Sequence, residues 1–273
     1  MRPRTLVNGV ASRALDVADR GLQFGDGLFE TMALIGGRVR RLEMHLARLR
    51  RGCERLGIEY PGDDLLKAEI AQLGTEIDGA VIKLIVTRGA SARGYAAPVG
   101  APTRVLELHP WPEHPADATH AGVAIRFCDL RLSDQPALAG LKHLNRLEQV
   151  LARREWQDQA IAEGLLCDAR GHVVCGTMSN VFAIREGKLV TPSLDRSGVR
   201  GTLRETVLRH ASAMGVGATE ADISRNDVLR ADELFLTNAI IGLWPVRQLE
   251  DRQWSPGPLT RRLLAAIDAA PSD

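Results

Sequence analysis

Between His109 and Ala118 the chain reads HPWPEHPADA, with prolines at positions 110, 112 and 115. Proline lacks a backbone N–H and fixes φ, so it can neither extend a strand ladder nor sit inside a helix. Three prolines this close together divide the chain, and 273 residues are enough for two modest domains. A smaller N-terminal domain is expected over 1–110, a linker over 111–117 and a larger domain over 118–273.

Local patterns give each side its elements. In FETMALIGGRVRRLEMH two apolar runs flank Gly36-Gly37, which predicts a hairpin with a tight primed turn. Leu42, Leu46, Leu49, Cys53 and Leu56 recur at steps of four and three, the stripe of a helix that Gly57 would close. VIKLIVTRG (81–89) and TRVLELHP (103–110) read as strands. Beyond the prolines, GLKHLNRLEQVLARREW predicts a helix with Leu144, Leu147, Val150 and Leu151 as its buried stripe. LLCD, HVVC, NVFAI and KLVTP, separated by glycine-containing turns, predict a meander. RGTLRETVLRHASAM and PLTRRLLAAI are two further amphipathic helices, with the strand ELFLTNA between them.

Composition narrows the function. With 45% hydrophobic and 25% charged residues, and no run near the roughly 18 apolar residues of a membrane helix, a soluble protein is expected. MRPRTLVNGV has no apolar signal region, which points to the cytoplasm. Cys53, Cys128, Cys167 and Cys175 lack both metal-ligand spacing and the density of a disulfide scaffold, so reduced buried thiols and no metal are expected. A net charge of +1 without a basic block removes the electrostatic case for nucleic acid. A small molecule remains as the partner.

Only four of the 35 basic residues are lysines, at 67, 83, 142 and 188. Lys67 falls on a solvated helix, Lys188 in a hairpin turn, and Lys83 interrupts an apolar strand. Lys142 lies between the turn-like SDQPALAG and the following helix, where an amine could project from a rigid element. The residues alone leave the choice among them open.

GLKHLNRLEQVLARR at 140–154 resembles the active-site lysine segment of the aminodeoxychorismate lyase family. That family belongs to the fold-type IV pyridoxal-phosphate enzymes, with branched-chain and D-amino-acid aminotransferases. DRGLQFGDGLFET (19–31), HLARL (45–49), TRGASARGY (87–95), SNVF (179–182) and TNAIIGLWPV (237–246) match further landmarks in order. The resemblance implies a two-domain α/β (α+β) fold with a strand-rich C-terminal domain, the cofactor between the domains, and a homodimer. It implies conversion of 4-amino-4-deoxychorismate to 4-aminobenzoate and pyruvate, a step toward folate.

Under that resemblance Lys142 is the Schiff-base lysine and the base, one amine serving twice. Arg48 becomes the guanidinium ligand of the cofactor phosphate. Backbone amides at Val199 and Arg200, and near Asn238 and Ala239, would cradle the same phosphate. For substrate carboxylates the expected ligands are Arg93, Tyr95 and Arg104, with Thr31 bordering the pocket. His45 is expected to pack or cap.

Cys175 departs from the pattern. The family places a glutamate there to hold the pyridine nitrogen protonated, and a thiol with an ordinary pKa of about 8.5 is a weak substitute. Reduced reliance on the electron sink, a rewired partner and lost activity all remain open. A lyase whose product aromatises depends less on that sink than an aminotransferase. The competing readings are an aminotransferase of the same fold and a non-catalytic binding protein with a decayed site.

Overall fold

The computed structural model describes residues 5–74, 79–96 and 100–269. They form two compact units: the described residues up to Glu113 together with Leu141–Asn145, and His114–Gly140 together with the described residues from Arg146 onward. The chain thus leaves the first unit within the proline-rich stretch and returns to it for five residues. The second unit is therefore not one continuous span.

The first unit holds β1 (Thr5–Val7), β2 (Val10–Ala11), α1 (Arg20–Phe24), β3 (Gly27–Ile35), β4 (Arg38–Val39), α2 (Leu42–Leu56), α3 (Asp63–Gln72), β5 (Ala80–Thr87) and β6 (Thr103–Pro110). Its sheet runs β2-β1-β6-β5-β3-β4, and every neighbouring pair is antiparallel. Gly36 and Gly37, at φ 58° and 71°, make the primed turn between β3 and β4, a conformation that side chains resist. Helix α2 ends at Gly57, as its spacing predicts, and buries Leu46, Leu49 and Cys53 against Met32, Leu34, Ile82 and Leu84 of the sheet.

The second unit holds β7 (Val123–Leu132), α4 (Leu147–Arg153), β8 (Ile161–Asp168), β9 (His172–Gly176), β10 (Asn180–Arg185), β11 (Lys188–Pro192), α5 (Thr202–Ala213), β12 (Ala218–Ala221), β13 (Ile223–Ser224), α6 (Arg225–Leu229), β14 (Glu233–Asn238), β15 (Gly242–Leu249), β16 (Arg252–Gln253) and α7 (Pro258–Ala269). Its sheet runs β12-β11-β10-β14-β15-β7-β8-β9-β13, with β16 on β15. The sheet is mixed: β7 pairs parallel with β15 and β8, and β11 with β12. Strand alternation sends β10 to two cores. Val181 and Ala183 join Leu234, Leu236 and Trp244 on one face. Phe182 and Ile184 meet Leu203, Val207 and Leu263 of α5 and α7 on the other. No helix among the described residues is long and apolar enough to cross a membrane.

One predicted element is corrected. The helix after Lys142 covers only Leu147–Arg153, and Leu147, Val150 and Leu151 are 67%, 54% and 43% exposed, not a buried stripe. The preceding residues pair instead along an open edge of β3. There the Phe29 N–H donates to the Lys142 carbonyl (2.9 Å) and the Leu144 N–H to the Gly27 carbonyl (3.0 Å). Ladder bonds on that edge take the residues a longer helix would have used.

Candidate active site

The β3 edge fixes Lys142. His143 bridges to Leu28, and Asn145 Nδ2 donates to the Gly25 carbonyl (3.2 Å). Gly25 is required for that approach, since a Cβ there would lie 2.5 Å from Asn145 Oδ1. Held on this braced segment and half-buried, Lys142 places its Nζ 4.2 Å from the centroid of the Phe29 ring. Alternation along β3 puts Thr31 on the same face as Phe29. Lys83 of β5, directly opposite Thr31 in the register, shares that face. The sequence shows only that Lys83 interrupts an apolar strand; strand register, which one strand cannot reveal alone, shows where it points. Lys67 is spent on Glu43 (2.7 Å), and Lys188 is exposed in its hairpin.

The opposite face of β3 carries Glu30, 1% exposed, beneath α2. Arg48 donates from Nε to Glu30 Oε1 (2.8 Å) and from Nη2 to Oε2, and His45 Nδ1 lies 2.6 Å from Oε2. Burial raises the Glu30 pKa, but the Arg48 guanidinium and His45 outweigh it and hold the carboxyl at about 2. Burial pushes His45 below its ordinary value despite Glu30. Arg48 is the permanent charge partner of Glu30. His45 packs, as expected. Arg48 is anchored before any ligand is considered.

Arg93 and Tyr95 occupy an exposed loop, Tyr95 at 86% exposure with its ring 5.4 Å from that of Phe24. Arg104 is placed differently. Its guanidinium meets the buried Glu69 through Nη2 at 2.7 Å and Nε at 3.0 Å, an ion pair between β6 and α3.

In the second unit, Cys175 lies on β9 at 6% exposure, and burial pushes its thiol up to about 12. Glu163, 1% exposed, shapes the turn that follows by accepting from the Thr177 N–H (3.0 Å), the Met178 N–H (3.1 Å) and Ser179 Oγ (2.8 Å). Asn180 and Thr237 are partners across β10 and β14, and Asn180 Nδ2 donates to the Val199 carbonyl (2.8 Å). The structure thus brings the 199 and 237–239 segments together. It corrects one detail: the Arg200 N–H donates to the Gly140 carbonyl (3.1 Å) and is committed there. Helix α5 starts just beyond, at Thr202, with no side-chain cap. Asn238 Oδ1 accepts from the Ile240 and Ile241 amides (2.8 Å each), so its side chain builds the turn that carries Ala239. Thr237 Oγ1 is buried and has no partner among the described residues.

The family described as amino-transferase class IV matches residues 27–249. An aminodeoxychorismate lyase of Vibrio harveyi is 33% identical over 262 residues, 94% of this chain and 97% of the relative. A putative branched-chain-amino-acid aminotransferase of Methanocaldococcus jannaschii is 31% identical over 259 residues, 91% and 88% of the two chains. The crystal structure of 4-amino-4-deoxychorismate lyase from Pseudomonas aeruginosa superposes with a TM-score of 0.93 at 46% identity, covering 98% of this chain and all (100%) of that one. The chain belongs to the amino-transferase class IV family of pyridoxal-phosphate enzymes.

Proposed function

We propose that this protein converts 4-amino-4-deoxychorismate to 4-aminobenzoate and pyruvate, with pyridoxal phosphate attached to Lys142. The observation that carries the reading is the placement of Lys142 on a braced edge segment, its amine over Phe29 on a half-open face shared with Thr31. The segment's sequence, KHLNRLEQV, is the part that most resembles the lyases.

The second unit has groups suited to the cofactor's phosphate. A buried hydroxyl without a partner costs about 1–3 kcal/mol, and Thr237 Oγ1 is such a group. Helix α5 begins at Thr202 without a side-chain cap, and the positive end of its dipole favours an anion there. In this reading the amides of Val199 and Ala239 hold the phosphate, with the first turn of α5 in place of the committed Arg200 amide. The family resemblance makes Arg48 a phosphate ligand, and Glu30 fixes its fork.

When bound, the cofactor ring withdraws electrons from the substrate carbon that carries the amine. Lys142 Nζ would take the proton from that carbon as the enolpyruvyl oxygen leaves the neighbouring ring carbon, which aromatises the product and releases pyruvate. Arg93, Tyr95 and Lys83 supply charge and donors for the substrate carboxylates, and Thr31 borders them. Arg104 is better accounted for by Glu69. Cys175 offers the ring nitrogen a neutral thiol, which favours a reaction driven by aromatisation of its product. The exposed Leu147, Val150 and Leu151 of α4 support a homodimer in which a second copy of the chain would cover them.

A cofactor titration tests the assignment. After borohydride reduction the cofactor should map to the peptide containing Lys142. Lys142→Ala should keep its far-UV spectrum and lose turnover roughly 10³-fold or more. Arg48→Ala should weaken cofactor affinity roughly tenfold, the worth of a charge-assisted hydrogen bond. A label on another lysine, or near wild-type turnover in Lys142→Ala, would refute the assignment.

A further inference from the structure

The stretch DRGLQFGDG at 19–27 supplies none of the cofactor or substrate ligands assigned above, yet its Asp19, Arg20 and Asp26 are held in a dense set of hydrogen bonds. Asp19, 0% exposed, accepts from Thr87 Oγ1 and the Gly21 N–H, both at 2.8 Å. The Arg20 N–H donates to the Gly89 carbonyl (2.9 Å), and the Ser91 N–H to the Ala18 carbonyl (3.2 Å). Residues 18–21 are thereby pinned to the start of the loop that carries Arg93 and Tyr95.

The Arg20 side chain reaches along that loop. Only 3% exposed, it donates from Nη1 to Ser91 Oγ (3.2 Å), the Gly94 carbonyl (2.9 Å) and the Ala96 carbonyl (3.3 Å), and from Nη2 to the Tyr95 carbonyl (3.2 Å). Its Nε donates to Asp26 Oδ2 (2.8 Å). No other side chain could serve this set, because only guanidinium spreads five donors over a rigid plane. With the Gly94 and Tyr95 carbonyls turned toward Arg20, planar trans peptides turn the Tyr95 and Ala96 amides away from it.

Asp26 links the clamp to the lysine. It also accepts from Arg88 Nε (2.8 Å) and Nη2 (3.2 Å). Although burial raises its pKa, hydrogen bonds from Arg88 and Arg20 hold it below the ordinary carboxylate value. Its neighbours Gly25 and Gly27 give their carbonyls to Asn145 Nδ2 (3.2 Å) and the Leu144 N–H (3.0 Å). One tight turn therefore braces the Lys142 segment through its carbonyls and the loop through its carboxylate.

We propose that Arg20 is a positioning residue for substrate, holding Ser91–Ala96 in fixed register with the Lys142 segment. Arg93, Tyr95 and the outward amides of Tyr95 and Ala96 then meet a substrate carboxylate together. The identity of that substrate rests on the lyase reading; the clamp itself does not.

Arg20→Lys in the full-length, cofactor-loaded protein is the test, because lysine keeps the charge and the Asp26 pair but cannot span the carbonyls. KM for aminodeoxychorismate should rise roughly tenfold to a hundredfold, the loss of one or two charge-assisted contacts. kcat and cofactor affinity should stay within about twofold of the wild type. Tryptic cleavage after Arg93 should accelerate. Ser91→Ala, which removes one acceptor from an otherwise intact clamp, should move KM and cleavage in the same direction by less, and serves if Arg20→Lys does not fold. Unchanged cleavage at Arg93 overturns the clamp, and faster cleavage with unchanged KM overturns its role toward substrate. A joint fall of kcat, cofactor affinity and Tm would make Arg20 a fold-maintenance residue and overturn the proposal too. Absence of lyase turnover in the wild type would refute the lyase reading, while the cleavage measurement would still decide the clamp.

Discussion

Cys175 stands where the family resemblance expects a glutamate. Its thiol, pushed up to about 12 by burial, is neutral at physiological pH. The Arg146 guanidinium, whose own pKa burial lowers, lies close enough to act on a charge at this position. A carboxylate at this position would have a cationic neighbour, which offsets part of the cost of burying it. Cys175→Glu should therefore be tolerated and should strengthen the electron sink, raising side transamination roughly tenfold relative to lyase turnover. With cofactor fully bound, an unchanged ratio would show that another group governs the ring nitrogen. The departure itself was legible in HVVCGTMSNVF, but its neighbours were not. Nothing in TRVLELHP announces that Glu69 approaches Arg104 from a separate helix, and nothing in SGVRG shows that the Arg200 amide is spent on Gly140. Long-range polar partners are set by packing, not by local spacing.

Helices and strands were legible where a local rule decides them. Apolar spacing and Gly57 defined α2, and the paired glycines defined the β3–β4 turn, because both depend on residues within one turn of one another. Helix α4 shows where that logic stops. Apolar steps of three and four predict a helix, but not that the β3 edge competes for Leu141–Asn145, nor what faces the stripe. Exposed Leu147, Val150 and Leu151 make a specific prediction at this scale. Leu147→Glu combined with Val150→Glu should convert the proposed dimer to a monomer by sedimentation velocity, with the far-UV spectrum retained, since charges cannot be buried unpaired in an apolar contact. A wild-type chain that sediments as a monomer, or a double variant that remains a dimer, would show that α4 is not the interface.

Across the whole molecule, the prolines marked the end of the first unit's long segment, yet no change of composition marks the return of Leu141–Asn145 to it. That return takes the candidate lysine out of the second unit and sets it beside Phe29 and Thr31 in the first. The fold admits both lyase and aminotransferase chemistry, as the relatives of both kinds show. The sequence around Lys142 and the neutral thiol at Cys175 favour elimination. The most direct measurement places both reactions on one cofactor-loaded preparation, following release of 4-aminobenzoate and pyruvate from aminodeoxychorismate beside amino transfer from leucine or D-alanine. The lyase rate is expected to exceed either transfer rate by roughly a hundredfold or more, about 3 kcal/mol of differential transition-state stabilisation. Faster amino transfer than 4-aminobenzoate release would contradict the account.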